Sequence, residues 1–296
     1  MQTGEKHQTY SNYIVNNMNY SIFCRPGGAG IVRGIQVSEF LGAKLNPTEG
    51  FEDDLCIYVK RVPPKNYPKH SYLDVVDAPR AVQWLKTHPN IGVIAISEIA
   101  QEYLNKELNR KDVIFIPHHH CNYERWLRPE EKEVKVVGII GSQNAFQYPI
   151  EDLRDALRDR GMELAYKPDF WETYNNFPSE NGKNGREKVC NFYKTIDIQV
   201  VWRLSAWSKS YEPFRNVLKL ENSGSFGIPT ISYPEPSYVR EWEHNFLEAH
   251  NIDELLRYVK TLKEQPAVYH EYAIRGWVKS QEYHVDRIKQ RYLNLP

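Results

Sequence analysis

The chain has 296 residues, which is long for one domain and comfortable for two domains with separate cores. It carries 38 basic and 38 acidic side chains, and zero net charge argues against the clustered basic excess of a nucleic-acid-binding surface. The first 19 residues are polar, and no stretch reaches the roughly 18 apolar residues of a membrane span. We therefore expect a soluble, cytoplasmic protein.

Alternating apolar runs and helical periodicity organise the first half of the chain. This pattern predicts a parallel sheet with helices on both faces. The predicted strands are residues 19–25, 54–60, 72–77, 91–97 and 112–117, and the predicted helices are 31–42, 80–87 and 98–108.

A glycine-rich loop joins the first predicted strand to the first predicted helix. Gly28, Ala29 and Gly30 would let a ligand approach the backbone, next to the positive dipole end of the helix. A dinucleotide fingerprint would need glycine where the chain has Arg33, so a nicotinamide or flavin is disfavoured. A tight turn without a ligand stays open as the alternative.

Two other strand ends in this half carry polar side chains. Asp77 ends a predicted strand, where open parallel sheets place their sites, although capping of the next helix is the favoured interpretation. Three histidines occupy residues 118–120. Neighbouring side chains on an extended segment point to opposite faces, so we expect no metal site, and we expect His118 to line a cleft between domains.

The four cysteines are Cys24, Cys56, Cys121 and Cys190, and none of them has C-x-x-C spacing. That spacing is typical of zinc sites and redox motifs. We therefore expect reduced, buried thiols, and neither a disulfide framework nor a zinc site.

A charged segment containing Pro129, residues 124–133, predicts a linker, and the α/β pattern restarts after it. We expect an N-terminal domain at 1–133, a C-terminal domain at 134–276 and a last helix at 277–296. Strands are predicted at 134–141, 162–166, 196–202, 230–233 and 246–250, and helices at 149–160, 186–194, 235–243, 251–262 and 267–293.

Residues 219–233 are the most informative stretch of the second half. They predict a short helix that ends at Gly227 and a strand that follows Pro229. The free N–H groups of the helix start suit a phosphate, Lys219 adds a positive charge, and the Glu221 carboxylate can accept hydrogen bonds from sugar hydroxyls. An ordinary amphipathic helix with solvated charges is the alternative.

Five stretches, taken in order, resemble the two-domain GT-B glycosyltransferases. The likeness is greatest to the retaining branch, glycosyl transferases group 1, which includes sucrose and glycogen synthases and sugar transferases of polysaccharide assembly. The stretches are residues 27–30, 93–97, 113–117, 136–141 and 218–231.

The resemblance implies two Rossmann-like domains facing each other across a cleft, with the last helix crossing back to the first domain. It also implies transfer of a sugar from a nucleotide diphosphate sugar to an acceptor hydroxyl, with retention of configuration and without a metal or other cofactor. The acceptor would be a glycan or a small molecule, and peripheral membrane contact is left open. A catalytically inactive relative that binds a nucleotide or a glycan is the alternative, and a sugar-nucleotide epimerase is disfavoured.

In the family, a Glu-x7-Glu pair holds the donor, and Glu221 falls on its second glutamate. The first position holds Pro213, with Glu212 one residue away, and the family's Arg/Lys pair is absent from residues 141–146. The resemblance therefore implies Glu212, His118 and Lys219 as catalytic residues. The expected substrate-binding residues are Gly28, Ala29, Gly30, Ser142, Arg203, Lys209, Lys219, Glu221, Asn222 and Ser223.

Overall fold

The computed structural model describes residues 18–141, 146–168, 181–204 and 209–296, with backbone only at 181–184. Within these ranges the chain forms two separate parallel sheets, one of six strands and one of five. Helices connect most of the consecutive strands of each sheet and cover its faces, so each half is a Rossmann-like domain.

The first sheet has the strand order β2-β1-β3-β4-β5-β6, and all its strand pairs are parallel. Every residue of β1, β3 and β4 is buried, as expected for a sheet covered on both faces. The two-residue edge strand β2 was not predicted. The strands are β1 Tyr20–Cys24, β2 Lys44–Leu45, β3 Leu55–Val59, β4 Ser71–Asp74, β5 Gly92–Ala95 and β6 Ile114–Phe115.

The helix after β1 begins as a π-helical segment, Gly30–Ile35, and continues as α1, Gln36–Leu41. Close packing on β1 explains a glycine here, because a Cβ at Gly34 would lie 2.4 Å from the Cys24 sulfur. The other helices of this domain are α2 Ala81–Lys86 and α3 Glu98–Glu107.

The second sheet has the strand order β11-β10-β9-β7-β8, again with parallel pairs throughout. Its strands are β7 Val136–Ile140, β8 Glu163–Lys167, β9 Ile198–Val201, β10 Thr230–Ser232 and β11 Leu247–Glu248. Its helices are α4 Ile150–Arg158, α5 Asn181–Thr195, α6 Leu218–Ser225, α7 Pro236–Trp242 and α8 Ile252–Glu264. Helix α5 starts five residues before its predicted start, and a 3₁₀ segment, Lys209–Phe214, precedes α6.

The C-terminal region is two helices, where the sequence predicted one over residues 267–293. Helix α9, Pro266–Ser280, is followed by a 3₁₀ turn and by α10, Val285–Leu293. The break falls at His284, whose extended backbone and ring nitrogen cap the start of α10.

Helix α10 returns to the first domain. Ile288, Tyr292 and Leu295 are buried in the core of that domain, and the hydroxyl of Tyr72 in β4 donates to the carbonyl oxygen of Pro296 at 2.6 Å. The predicted fold, two facing Rossmann-like domains with a last helix that crosses back, is therefore confirmed.

Candidate functional site

A cleft of about 560 Å³ lies between the two sheets. Residues that follow the carboxyl ends of β1, β3, β4 and β6 line it from the first domain, and residues that follow β7 and β9 line it from the second. Open parallel sheets bind ligands at the carboxyl ends of their strands, so the cleft lies where this fold places a site.

We define the first wall by five of the cleft-lining residues of the first domain: Gly28, Ala29, Lys60, Asp77 and His118. The glycine loop lines the cleft at Gly28 and Ala29. Gly30 is not on this wall and has a structural role, because a Cβ there would lie 1.8 Å from the carbonyl oxygen of Arg25. The loop therefore combines a tight turn with an exposed stretch of backbone.

We define the second wall by five of the cleft-lining residues of the second domain: Arg186, Arg203, Arg215, Lys219 and Asn222. Four of these five side chains are cationic. Such a surface attracts an anionic ligand, and guanidinium groups suit phosphate oxygens in particular.

A buried carboxylate holds two of these cations in place. Glu235 accepts from Arg203 Nε at 2.8 Å and Nη2 at 2.5 Å, and Arg215 Nη1 lies 3.3 Å from the same carboxylate. Arg215 Nε and Nη2 are buried and have no hydrogen-bond partner among the residues that the structure describes. Buried donors of this kind normally find a partner, so these two are free to bind a ligand.

Lys219 lies in the first turn of α6 and points into the cleft. Burial lowers its pKa to about 8, and repulsion from Arg203 acts in the same direction, while Glu235 opposes the shift. The ammonium group is therefore mainly charged at neutral pH and loses its proton in the mildly alkaline range.

Glu221 lies off the cleft, although Lys219 and Asn222 line it. Residues three apart share a helix face, whereas residue 221 is rotated by roughly 100° from residue 222. The Glu221 carboxylate is buried, and neither oxygen has a hydrogen-bond partner within the described ranges. Burial raises its pKa well above the ordinary value, and the Glu241 carboxylate raises it further.

The other predicted residues of the second domain have mixed positions. Ser223 is buried and its hydroxyl pairs with that of Thr230 at 2.6 Å, which is a structural contact between α6 and β10. Glu212 and Lys209 are exposed on the 3₁₀ segment and do not line the cleft. Ser142 lies outside the described residues.

Asp77 is a cleft residue, so the prediction that it caps a helix is wrong. Helix α2 starts at Ala81 with Arg80 at its N-cap position, and Asp77 has a left-handed φ of 46°. Burial raises its pKa, and the nearby cations Lys60 and Arg203 oppose that shift. A non-glycine residue with this backbone conformation is uncommon and is enriched at functional sites.

His118 and His119 both line the cleft, whereas the extended segment predicted opposite faces for neighbouring side chains. His118 lines the cleft with no hydrogen-bond partner for Nδ1 in the described chain, and burial lowers its pKa well below the usual range. His119 pairs with Gln36 at 2.9 Å, and His120 packs against the ring of His284. Within the described ranges, no three His, Cys, Asp or Glu side chains are grouped to hold a metal ion.

Sequence reasoning missed three of the cleft cations, Lys60, Arg186 and Arg215. Arg186 is held by Glu124, with Nη1 and Nη2 at 2.9 Å and 2.8 Å from its carboxylate oxygens. Lys60 directly follows β3, and that strand-end position is the one signal in the sequence that could have identified it. Arg186 and Arg215 lie on a helix and in a loop without such a marker.

No helix in the described parts of the chain combines the length and the apolar character needed to cross a membrane.

Two Rossmann-like domains that face each other across a cleft, with a last helix returning to the first domain, define the GT-B fold. Solved glycosyltransferase structures share this architecture over nearly the whole chain. A glycosyltransferase from Rickettsia africae ESF-5 aligns with a TM-score of 0.61 and 11% identity, covering 94% of this chain and 97% of its own.

Two further solved structures are similar to the same extent. Anabaena HepE, in complex with UDP and glucose, aligns with a TM-score of 0.58 and 12% identity over 93% of this chain and 98% of its own. WaaG, a glycosyltransferase involved in lipopolysaccharide biosynthesis, aligns with a TM-score of 0.57 and 9% identity over 93% of this chain and 98% of its own. No protein-family model matches the chain, and no curated protein is significantly similar to it in sequence.

Proposed function

We propose that the protein is a glycosyltransferase that moves a sugar from a nucleotide diphosphate sugar to an acceptor hydroxyl. The observation that carries the proposal is the second wall, where Arg186, Arg203, Arg215 and Lys219 converge on one cleft of a GT-B fold. The structural likeness at 9–12% identity supports the fold, and the cationic wall supports an anionic donor.

The chemical task of this wall is to stabilise the leaving diphosphate. Negative charge grows on the diphosphate as the bond to the sugar breaks, and fixed cations lower the energy of that transition state. Arg203 and Arg215 are already oriented by Glu235, so little reorganisation is needed when the charge develops. We therefore propose that neutralisation does not depend on a metal ion or another cofactor.

The first wall is suited to uncharged hydroxyl groups. Asp77 can accept hydrogen bonds from them, and neutral His118 offers an unpaired ring nitrogen in the cleft. We assign the sugar and the acceptor hydroxyl to this side. Closure of the domains would exclude water and limit hydrolysis of the donor.

Further details of the proposal follow from the resemblance and from the similar structures. Retention of configuration is the property of the resembled branch. UDP bound to HepE makes a uridine nucleotide the first donor to test, and the role of WaaG in lipopolysaccharide biosynthesis suggests polysaccharide assembly. We propose that this protein acts in the cytoplasm.

Isothermal titration with UDP, GDP and CDP tests the donor site directly. We expect one of them to bind, and we expect a hexose transfer or a slow donor hydrolysis with the matching nucleotide sugar. Failure of all three nucleotides to bind would contradict the proposal.

A catalytically inactive, nucleotide-binding relative is the second candidate. The positions of the two glutamates favour it, because Glu212 is exposed and does not line the cleft, and Glu221 is buried on the face of α6 that is turned away from the cleft. Nucleotide binding without hydrolysis or transfer, across uridine, guanosine and cytidine diphosphate sugars and several acceptors, would support this candidate over the enzyme.

A further inference from the structure

Two of the four cysteines lie side by side beside the cleft. Cys121 follows the histidine segment and lines the cleft, and Cys190 lies on α5, 69 residues later in the chain. Both belong to one small apolar cluster of the second domain, and both are buried free thiols. Cys24 and Cys56 are buried in the core of the other domain.

The contact between the two residues is direct. The Cys190 thiol donates to the carbonyl oxygen of Cys121 at 3.1 Å. The Cys121 N–H donates to Asn222 Oδ1 at 2.8 Å, which fixes the backbone of Cys121 on α6. The fold therefore holds the two residues in contact.

A cation makes the two sulfurs unequal. Arg186 Nη1 lies 3.8 Å from the Cys190 sulfur and 2.9 Å from the Cys121 carbonyl oxygen. The hydrogen bond from the Cys121 thiol and the charge of Arg186 lower the pKa of Cys190, while burial raises the pKa of Cys121. A thiol with a lowered pKa beside a thiol with a raised pKa suits an attacking and a resolving cysteine.

We propose that Cys121 and Cys190 form a reversible dithiol–disulfide site in the cleft wall, oxidised by hydroperoxides. The Cys190 thiolate attacks the peroxide oxygen, which gives a sulfenic acid on Cys190 and releases hydroxide. The Cys121 sulfur then attacks the Cys190 sulfur, the S–O bond breaks, and water leaves with the Cys121 proton. In sum, two thiols and one hydrogen peroxide give one disulfide and two waters.

The Cys121–Cys190 disulfide would join the segment that follows β6, residues 118–121, covalently to α5. Helix α5 contributes Arg186, Val189 and Tyr193 to the cleft lining. Oxidation would therefore fix α5 against the segment that holds His118 and His119. The site thus couples the redox state of the chain to the shape of the cleft.

Mapping of the disulfide in the wild-type protein is the decisive experiment. The reduced protein is treated with a small excess of hydrogen peroxide, alkylated under denaturing conditions and digested without reductant. We expect the four free thiols to fall to two, with a Cys121–Cys190 cross-linked peptide that dithiothreitol removes. Alkylation of both residues, their separate oxidation to sulfinic acids, or pairing with Cys24 or Cys56 would overturn the proposal.

Serine variants and an arsenical probe give independent checks. Phenylarsine oxide binds paired thiols. We therefore expect one equivalent of the arsenical to bind per chain of the wild type and of the Cys56→Ser control, and none to bind to Cys121→Ser or Cys190→Ser. Peroxide-treated Cys121→Ser should retain a sulfenic acid on Cys190 that dimedone labels. Arsenical binding that survives in Cys190→Ser would contradict the assignment, and far-ultraviolet circular dichroism establishes that each variant is folded.

Discussion

The two walls of the cleft differ in how they use charge. On the second wall, Arg203 and Arg215 are anchored from behind by Glu235 and still face the cleft. The first domain also has a buried arginine, Arg33, which does not line the cleft. Its side chain pairs with Asp74 at 2.5 Å and donates to the Pro117 carbonyl oxygen at 2.9 Å, so its role is structural.

This difference in charge assigns the nucleotide diphosphate to the second wall, and the sugar and the acceptor to the first wall. On the first wall, Lys60 faces Asp77, so the charges on that side offset each other. On the second wall, the cations outnumber the carboxylates that hold them. A nucleotide diphosphate should therefore depend on the second wall for affinity, whereas the first wall should influence turnover and acceptor use.

Replacement of Arg203 should have the largest effect on nucleotide affinity. Arg203→Ala removes a guanidinium from the cleft and leaves Glu235 partly unpaired, and charge-assisted hydrogen bonds contribute about 1.5–3 kcal/mol each. We expect UDP affinity to fall roughly tenfold to a hundredfold by isothermal titration.

Arg240→Ala is the matched control for this loss of charge. Arg240 is exposed on α7 and pairs with Glu98 at 3.0 Å and Glu102 at 2.5 Å, away from the cleft. Its removal should leave UDP affinity unchanged. Equal effects of the two substitutions would show that the second wall does not hold the diphosphate.

Substitution of Asp77 should separate turnover from nucleotide binding. Asparagine tolerates the left-handed backbone of this position, so Asp77→Asn removes the charge with little strain. We expect kcat/KM for the acceptor to fall about tenfold, since a charged hydrogen bond is replaced by a neutral one. UDP affinity should stay equal or rise slightly, and a large loss of UDP affinity would contradict the division between the walls.

Lys219 should make nucleotide binding depend on pH. Its pKa of about 8 lies below the ordinary lysine value, so the cation is present below pH 8 and is lost as the pH rises through it. We expect UDP affinity to fall between pH 7 and pH 9, by at most about tenfold.

Lys219→Arg supplies the control, because a guanidinium stays charged throughout this range. Ionisation of the uracil base affects both proteins equally, so only the difference between their profiles reports on Lys219. Parallel profiles for wild type and Lys219→Arg would show that the Lys219 charge does not contribute to binding.

The fold could be predicted from the sequence much more completely than the site. Apolar periodicity and turn residues are local signals, and they located the strands of both sheets apart from the two-residue β2. The break at His284 was missed, because its cap depends on geometry that the helical periodicity of residues 267–293 does not show.

The site depends on which way each side chain faces, and a short motif does not determine that. Lys219 and Asn222 face the cleft, whereas Glu221 between them does not. The sequence position of Asp77, close before α2, favours a helix cap, whereas its position after β4 is what brings it to the cleft. Arg215 acquires its role from Glu235, which is distant in sequence, so no local pattern could identify it.

Glu221 should have the smallest effect on binding and should instead affect stability. Its buried carboxyl faces Glu241 of α7, Tyr283 before α10, and the cations Arg33 and Arg291. Its pKa in the folded state is raised, so the folded protein holds this proton more tightly than the unfolded chain does. The contribution of Glu221 to stability is therefore fully present below its unfolded-state pKa of about 4.3 and is lost as the pH rises through its raised pKa in the folded state.

Glu221→Gln removes this titration while it keeps the size of the side chain. We expect the variant to be more stable than wild type at pH 8, by on the order of 1 kcal/mol, and the difference to shrink towards pH 5 in urea denaturation. Glu241, whose pKa burial raises to about 8, titrates in both proteins and so affects both curves. A Glu221→Gln variant that loses UDP affinity and gains no stability would place this carboxylate in the donor site after all, and the second wall would then include an acid as well as its cations.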